Sequence, residues 1–151
     1  MTWDFPLPTS AGSVKMITTE AAEDRRESLN ALTSGILEAA FKVHSALGPG
    51  LLESAYEVCL AHELRKRGVA VETQVPLPVF YDGIRVDLGY RIDIVVEDEV
   101  FVELKAVEAV LPVHRAQLLS YLRLNDKRVG LLINFHVQRL KEGIFRVVNN
   151  F

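Results

Sequence analysis

Cysteine is nearly absent from this 151-residue chain, which carries Cys59 alone. A single thiol excludes an internal disulfide, a four-cysteine zinc site and a cysteine-ligated iron–sulfur cluster. Cys59 lies among apolar neighbours in VCLAHEL, and we interpret it as an inert thiol of the core. Histidine does not take over as a zinc ligand, because His44, His62 and His136 have no spacing typical of a zinc site.

Long apolar runs and an excess of basic residues are also missing. No stretch approaches the roughly 20 apolar residues that a transmembrane helix needs, and the start, MTWDFPLPTS, lacks the basic and apolar parts of a secretion signal. We therefore expect a cytoplasmic protein with no membrane partner. The net charge of -3 does not favour a general nucleic-acid binder. A local basic rim around an acidic metal pocket is compatible with that total.

The composition that remains is typical of one soluble globular domain. Hydrophobic residues make up 49% of the chain and charged residues 25%, and the length is sufficient to bury a core without disulfides. Residues 1–28 contain early prolines and the charged patch EAAEDRRE with no sustained apolar period. We interpret this segment as a flexible or loosely packed leader and place the folded domain at residues 29–151.

Two helices are predicted at the start of this domain. From Leu29 to Leu47, apolar residues recur at spacings of three and four, which is one face of an amphipathic helix. Gly48-Pro49-Gly50 ends that pattern, because proline cannot continue the helical hydrogen bonds. A second apolar stripe runs from about Leu51 to Arg67, and Gly68 closes it.

Strand patterns follow the helices. Residues 69–81 alternate apolar and polar positions, and Pro76 and Pro78 place this strand at a sheet edge because they cannot donate to a ladder. Asp82-Gly83 is a hairpin turn signal. Residues 84–96 have an apolar side chain at every even position and are predicted to form one continuous strand.

The rest of the chain completes an α/β arrangement. A strand is predicted over residues 100–107, and a helix follows Pro112. Residues 129–135, VGLLINF, are almost wholly apolar and indicate a central strand buried on both faces. A short last strand, IFRVV, follows. The predicted fold is a mixed sheet flanked by helices.

One pair of neighbouring strands carries an unusual polar set in YRIDIVVEDEVFVELKAV. The apolar series of the two strands align only if even positions face even ones, and a three-residue tip achieves this by pairing Val96 with Val100. This register places Asp93 directly opposite Glu103. Their β-carbons would then be about 5 Å apart. Lys105 lies on the same face, about 7 Å further along the strand.

Two carboxylates this close repel each other unless a cation lies between them or one takes up a proton. Mg²⁺ suits the position, because it prefers oxygen ligands, accepts one or two carboxylates and completes its shell with water and substrate phosphate. Lys105 beside the cation could hold and polarise an attacking water. The alternative is an ordinary solvated sheet face with a cross-strand ion pair.

These residues carry a family resemblance. Asp93 followed by Glu103-Leu104-Lys105, on two antiparallel strands before an amphipathic helix, resembles the PD-(D/E)XK nuclease superfamily. GPGLLESAYE looks like the signature of the GxxExxY proteins. Five further segments resemble that family's sequence in the same order: QVPLPVFYDG, GYRIDIVVED, VELKAV, PVHRAQLLSYLRL and GLLINF. The resemblance covers roughly residues 29–148. It implies a restriction-endonuclease-like fold and a relationship to the RecB-like branch.

The resemblance also implies roles for individual residues. Glu53 would be the carboxylate of the preceding helix, acting on the metal directly or through a water. Asp93 and Glu103 would be the principal metal ligands, helped by the backbone carbonyl of Leu104. Lys105 would be the catalytic lysine. An ordinary first-turn glutamate that complements the helix dipole is the alternative for Glu53.

The helix after the strand pair would contribute to substrate binding. Gln117 would match the helix glutamine that orients substrate or lysine, and Tyr121 lies one turn further on the same side. A solvated surface residue is the alternative for Gln117. Tyr56 of the signature is expected to pack a helix against the sheet.

The expected function is therefore that of a Mg²⁺-dependent nuclease, with Mn²⁺ as a substitute, that hydrolyses DNA or RNA by a metal-activated water. A non-catalytic module that docks to a repair or defence assembly is the alternative. A hydrolase of small phosphoesters is a third reading, which a narrow closed pocket would favour.

Overall fold

A computed structural model describes residues 18–151, and within this range three α-helices and seven strands are present. The residues of 1–28 that precede Thr18 lie outside the described part of the chain. The elements are α1 (Thr19–Leu47), α2 (Glu53–Lys66), β1 (Val71–Pro76), β2 (Val79–Tyr81), β3 (Ile84–Val86), β4 (Arg91–Val96), β5 (Val100–Lys105), α3 (Pro112–Leu124), β6 (Val129–Asn134) and β7 (Ile144–Val148), with a short 3-10 helix (Leu140–Gly143) before β7.

The main sheet has five strands in the order β1-β4-β5-β6-β7. All neighbours are antiparallel except β5 and β6, which are parallel and joined through α3. The fold prediction of a mixed α/β sheet is thus confirmed. β1 is an edge strand, where its Pro76 is tolerated because it cannot donate to a ladder, and β6 is buried at all six positions inside the sheet.

Helices cover both faces of the sheet, which forms two apolar layers. On one face, residues of α1 and α2 such as Ile36 and Leu60 pack on the sheet side chains of Val102 and Leu131. On the other face, α3 contributes a separate cluster, whose members include Leu118, Leu122, Phe101 and Leu132. The architecture is consistent with a restriction-endonuclease-like fold. Within residues 18–151, no helix has the length and apolar character needed to cross a membrane.

The first helix begins ten residues earlier than the predicted start at Leu29. Thr18 caps it, because its hydroxyl accepts the Ala21 N–H at 3.0 Å. Residues 19–28 are rich in alanine, glutamate and arginine, which favour helix without an apolar stripe. Most of these side chains are exposed. The helix start at Leu29 was therefore wrong, while the boundary between leader and domain stays a prediction.

Two predicted strands are each divided in two. The strand over residues 69–81 consists of β1 and β2, because the prolines interrupt the ladder. The strand over residues 84–96 consists of β3 and β4, which are separated where Gly89 adopts a φ of 79°. The turn at Asp82-Gly83 is confirmed: both residues have positive φ, and β2 pairs with β3 across it.

The hairpin of β2 and β3 extends beyond the last β1–β4 rung, Pro76 with Arg91. We call residues 79–90 the outer hairpin segment. It leaves several large apolar side chains exposed: Phe80, Tyr81, Ile84, Leu88 and Tyr90. This segment therefore forms an apolar projection at the end of the sheet where β4 begins.

Candidate active site

The β4–β5 hairpin has the register that the apolar series predicted. Val96 pairs with Val100 and Ile94 with Val102, across a three-residue tip. Continuing the same register places Asp93 opposite Glu103. The predicted register is confirmed over these rungs, and Asp93 and Glu103 follow the last of them at the open end of the hairpin.

At this position the carboxylates bind the backbone of the opposite strand. Glu103 Oε1 accepts the Asp93 N–H at 2.9 Å, and Asp93 Oδ2 accepts the Leu104 N–H at 2.8 Å. These two bonds connect β4 and β5 beyond the last regular rung, Ile94 with Val102. Glu103 is only 8% exposed and Asp93 is half-buried. Because Glu103 is buried, the pair does not belong to a solvated sheet face.

Burial raises the pKa of Glu103 to about 8, and the nearby negative charge of Asp93 adds to the increase. The N–H of Asp93 and the ammonium of Lys105 lower this pKa by smaller amounts, while Glu53 raises it. At neutral pH, Glu103 therefore holds a proton unless a cation takes its place. A proton on one of the two carboxyl groups is expected when two like charges share a site of low dielectric constant.

The remaining predicted residues of this group surround the pair. Glu53 occupies the exposed first turn of α2, and its charge acts on Glu103. Lys105 ends β5 and is half-buried. The Leu104 N–H points to β4, and the N–H and C=O of one strand residue face the same neighbour, so the Leu104 carbonyl is also on the β4 side of the strand.

Tyr121 and Gln117 of α3 differ in their relation to the site. Tyr121 is 6% exposed. Burial raises the pKa of its hydroxyl to about 12, with additional effects from the charges of Glu103, Tyr90 and Asp93. Tyr121 therefore lies close enough to Glu103 and Asp93 for their charges to act on its hydroxyl, and its role in substrate binding stays a prediction. Gln117 is exposed, and within the described part of the chain its side chain makes no hydrogen bond to the pair, so its role stays a prediction.

Two residues near the site were missed by the sequence reasoning. The amide nitrogen of Gln74 lies 2.5 Å from Glu57 Oε1 and 3.2 Å from Asp93 Oδ1. Burial raises the pKa of Glu57, the Gln74 bond opposes this, and the charges of Asp93 and Glu53 add to it. Glu57 could have been found, because it lies one turn after Glu53 on the same helix face. Gln74 has no such signal.

Tyr56 fixes the loop that precedes α2. Its hydroxyl donates to the Gly48 carbonyl at 2.5 Å and accepts the Leu51 N–H at 3.1 Å. Its buried ring stacks on Phe135 with centroids 4.4 Å apart. The prediction that Tyr56 packs a helix against the sheet is confirmed. The residue thereby also sets where α2 begins, and with it the position of Glu53.

The donor set is suited to a hard divalent cation, although it is not a closed metal cage. Among residues 18–151, no group of three or more histidine, cysteine, aspartate or glutamate side chains is arranged to hold a metal ion. Asp93 and Glu103 offer two carboxylates, and their mutual repulsion would be relieved by a cation. Mg²⁺ needs no more than one or two carboxylates, since water and substrate phosphate complete its octahedron.

Comparison with known proteins identifies the superfamily of the chain. The family model that matches is that of the PD-(D/E)XK nuclease superfamily, and it covers residues 30–147, well over half of the chain. No curated protein and no solved structure gives a significant match. The match begins one residue after Leu29 and includes the whole sheet except the last residue of β7. The chain belongs to the PD-(D/E)XK nuclease superfamily.

Proposed function

We propose that this protein is a Mg²⁺-dependent nuclease, with Mn²⁺ as a substitute, that hydrolyses phosphodiester bonds of DNA or RNA. Membership of the superfamily supports nuclease-type chemistry in general. The observation that carries the specific proposal is the Asp93–Glu103 pair, in which Glu103 is buried and each carboxylate accepts a backbone N–H of the opposite strand, with Lys105 at the strand end. We further infer that the chain is a GxxExxY protein of the RecB-like branch.

Asp93 and Glu103 would hold the cation, with the Leu104 carbonyl beside them. When bound, the cation supplies a water of lowered pKa and stabilises charge on the phosphate. Glu53, on the exposed first turn of α2, would add a negative charge near the cation from the solvent side. In this proposal the principal oxygen donors come from β4 and β5, and Glu53 acts from an exposed position.

Lys105 would hold the attacking water and donate to the phosphate oxygens, because its ammonium has three donors and no acceptor. Tyr121 would contact the scissile region, and Gln117, one turn earlier on α3, would contact the substrate further out. Glu53 and Gln117 are exposed. These exposed positions favour a long polymeric substrate over a small phosphoester.

The experiment that tests this proposal combines metal binding with cutting. Calorimetric titration with Mg²⁺ and Mn²⁺ is performed on the native chain and on Asp93→Ala with Glu103→Ala. The same proteins are assayed on labelled single- and double-stranded DNA and on RNA, with chelator as the blank. We expect metal-dependent cutting by the native chain alone.

A matched control is available on the same hairpin. Asp98→Ala with Glu99→Ala also removes two carboxylates, but from the tip, where Asp98 forms an exposed ion pair with Lys127. This variant should bind metal and cut like the native chain. A native chain that neither binds metal at millimolar concentration nor cuts would contradict the proposal.

A second function, a non-catalytic module that docks to a repair or defence assembly, is favoured by one observation. The outer hairpin segment exposes several large apolar residues, including Tyr81 at 66% and Leu88 at 68%. Apolar surface of this kind is typical of interaction sites. Metal binding without cutting on any of these substrates would support the docking function.

A further inference from the structure

The ladder between β1 and β4 is interrupted next to the carboxylate pair. Thr73 pairs with Ile94 and Val75 with Ile92, but the rung between them, Gln74 with Asp93, is absent from the pairing. Gln74 adopts a φ of 52°, a left-handed conformation that residues other than glycine adopt infrequently. The distortion therefore involves the one β1 residue that faces Asp93.

The two strands also change faces at this rung. Val71 and Ile94 pack in the layer under α1 and α2, whereas Val75 and Ile92 pack in the layer under α3. A regular strand keeps residues two apart on one face. Both strands change the face of their apolar side chains at the same place, so Gln74 and Asp93 lie where the two strands are locally twisted. Their side chains are thereby brought to the edge between β1 and α2.

The side chain of Gln74 forms a bridge between two carboxylates. Its amide nitrogen donates to Glu57 on α2 and to Asp93 on β4. An ionised carboxylate accepts hydrogen bonds but cannot donate them, and a glutamine NH₂ group offers two donors without adding charge. Glutamine is thus one of the few side chains that can connect two acidic groups without neutralising either.

The bridge determines how Asp93 is held. Its Oδ2 is fixed by the Leu104 N–H at 2.8 Å, and its Oδ1 by Gln74 at 3.2 Å. A carboxylate that is bound at both oxygens cannot rotate freely about its last torsion. Each oxygen keeps a second lone pair that can face Glu103 and a cation.

We propose that Gln74 is a positioning residue, itself held by Glu57, that fixes the orientation of the Asp93 carboxylate for a divalent cation. This inference rests on the proposed function, because it assigns to Asp93 the role of a ligand. Hydrogen bonds to metal ligands from outside the ligand set commonly change metal affinity or activity by about 10–100-fold when they are removed. Loss of the Gln74 bond is expected to have an effect in this range.

The test uses Gln74→Met, which keeps an unbranched side chain of similar length but has no donor. Calorimetry with Mn²⁺ should give a dissociation constant about 10–100-fold higher than that of the native chain. Raising the Mn²⁺ concentration should restore much of the cutting rate. A merely structural defect would lower the active fraction and leave the metal midpoint unchanged.

A second readout requires neither metal nor activity. Amide hydrogen exchange at Leu104 should become faster in metal-free Gln74→Met, because a rotating Asp93 no longer accepts this N–H steadily. Exchange at Val102, which pairs with Ile94 in the regular ladder, should stay unchanged. Glu72→Gln, an exposed substitution on the same strand, should leave the metal midpoint and the exchange at Leu104 at native values.

Glu57 provides a further comparison. Glu57→Gln keeps an oxygen that can accept the Gln74 N–H, whereas Glu57→Met removes it, so the loss of Mn²⁺ affinity should be larger in Glu57→Met. Native values for the metal midpoint and for Leu104 exchange in Gln74→Met would overturn the inference while leaving the nuclease proposal intact. If the native chain bound no Mn²⁺, the nuclease proposal would fail, and the ligand role that the inference assigns to Asp93 would fail with it.

Discussion

At the scale of single residues, Glu103 combines burial with a like charge. It is a carboxyl buried on a central strand, opposite a second carboxyl, and its neutralisation requires a proton or a cation. A buried charge of this kind usually weakens a fold, and its presence is best explained by binding. The state of this one group therefore links pH, metal and stability.

The stability of the metal-free protein should depend on pH through Glu103. Between the ordinary pKa near 4.5 and the folded value of about 8, the unfolded chain has lost this proton while the folded protein keeps it. The free energy of unfolding should therefore fall as pH rises through this window, and this contribution should be level above it. Urea unfolding in the presence of chelator from pH 5 to 9 measures this dependence of the free energy of unfolding on pH. Glu103→Gln should remove the slope; unchanged slopes in the two proteins would contradict the assignment.

Lys105 should separate chemistry from metal binding. In Lys105→Met, the ammonium that would polarise the water is lost while both carboxylates remain, so cutting under single-turnover conditions should fall by about 10²–10⁴-fold. Mn²⁺ binding measured by calorimetry should persist, since removal of a neighbouring positive charge does not weaken attraction for a cation. Equal losses of binding and cutting would assign Lys105 to the metal site instead.

At the scale of elements, the site depends on where strands stop and helices begin. β4 and β5 are joined by a three-residue tip, and their alternating apolar pattern is sufficient to predict that Asp93 lies opposite Glu103. The same alternation failed over residues 84–96, because a break at Gly89 does not disturb the even series. Periodicity identifies which residues share a face only while the backbone remains regular.

The loop before α2 gives a prediction at this scale. Tyr56→Phe keeps the stack on Phe135 but removes both hydroxyl bonds to the loop, leaving the Gly48 carbonyl without this donor. The free energy of unfolding should decrease by about 1–3 kcal/mol, as measured by urea unfolding. Tyr81→Phe, on an exposed side chain, is the control and should be within about 0.5 kcal/mol of native. A Tyr56→Phe protein as stable as the control would show that the loop is held by other contacts.

At the scale of the whole molecule, the site is assembled from elements that are distant in sequence. The strand pair was predictable because its partners are neighbours in the chain. Gln74 could not be predicted, because its contact with Asp93 needs β1 to pair with β4 across the outer hairpin segment, a pairing that no local pattern encodes. Glu53 was placed by resemblance rather than by spacing, since α2 reaches the sheet only through tertiary packing.

The predicted boundary between leader and domain can be tested on the whole chain. A protein consisting of residues 29–151 should fold cooperatively and bind Mn²⁺ with native affinity, because the preceding helical residues that the structure describes are mostly exposed. Its circular dichroism should show less helix, corresponding to residues 19–28. Failure to unfold cooperatively in urea would show that the first turns of α1 contribute to the core.

The β4–β5 hairpin has a consequence for the folding rate. Its three-residue tip makes it the most local pairing of the five-stranded sheet, and such local contacts form early because little loop entropy opposes them. Yet the open end of this hairpin carries Asp93 and Glu103, so closing it brings like charges together while the chain is still largely unfolded. We expect refolding to be fastest under conditions that remove this repulsion, namely mild acid or a divalent cation. The ion that would bind the folded site would then also accelerate its folding.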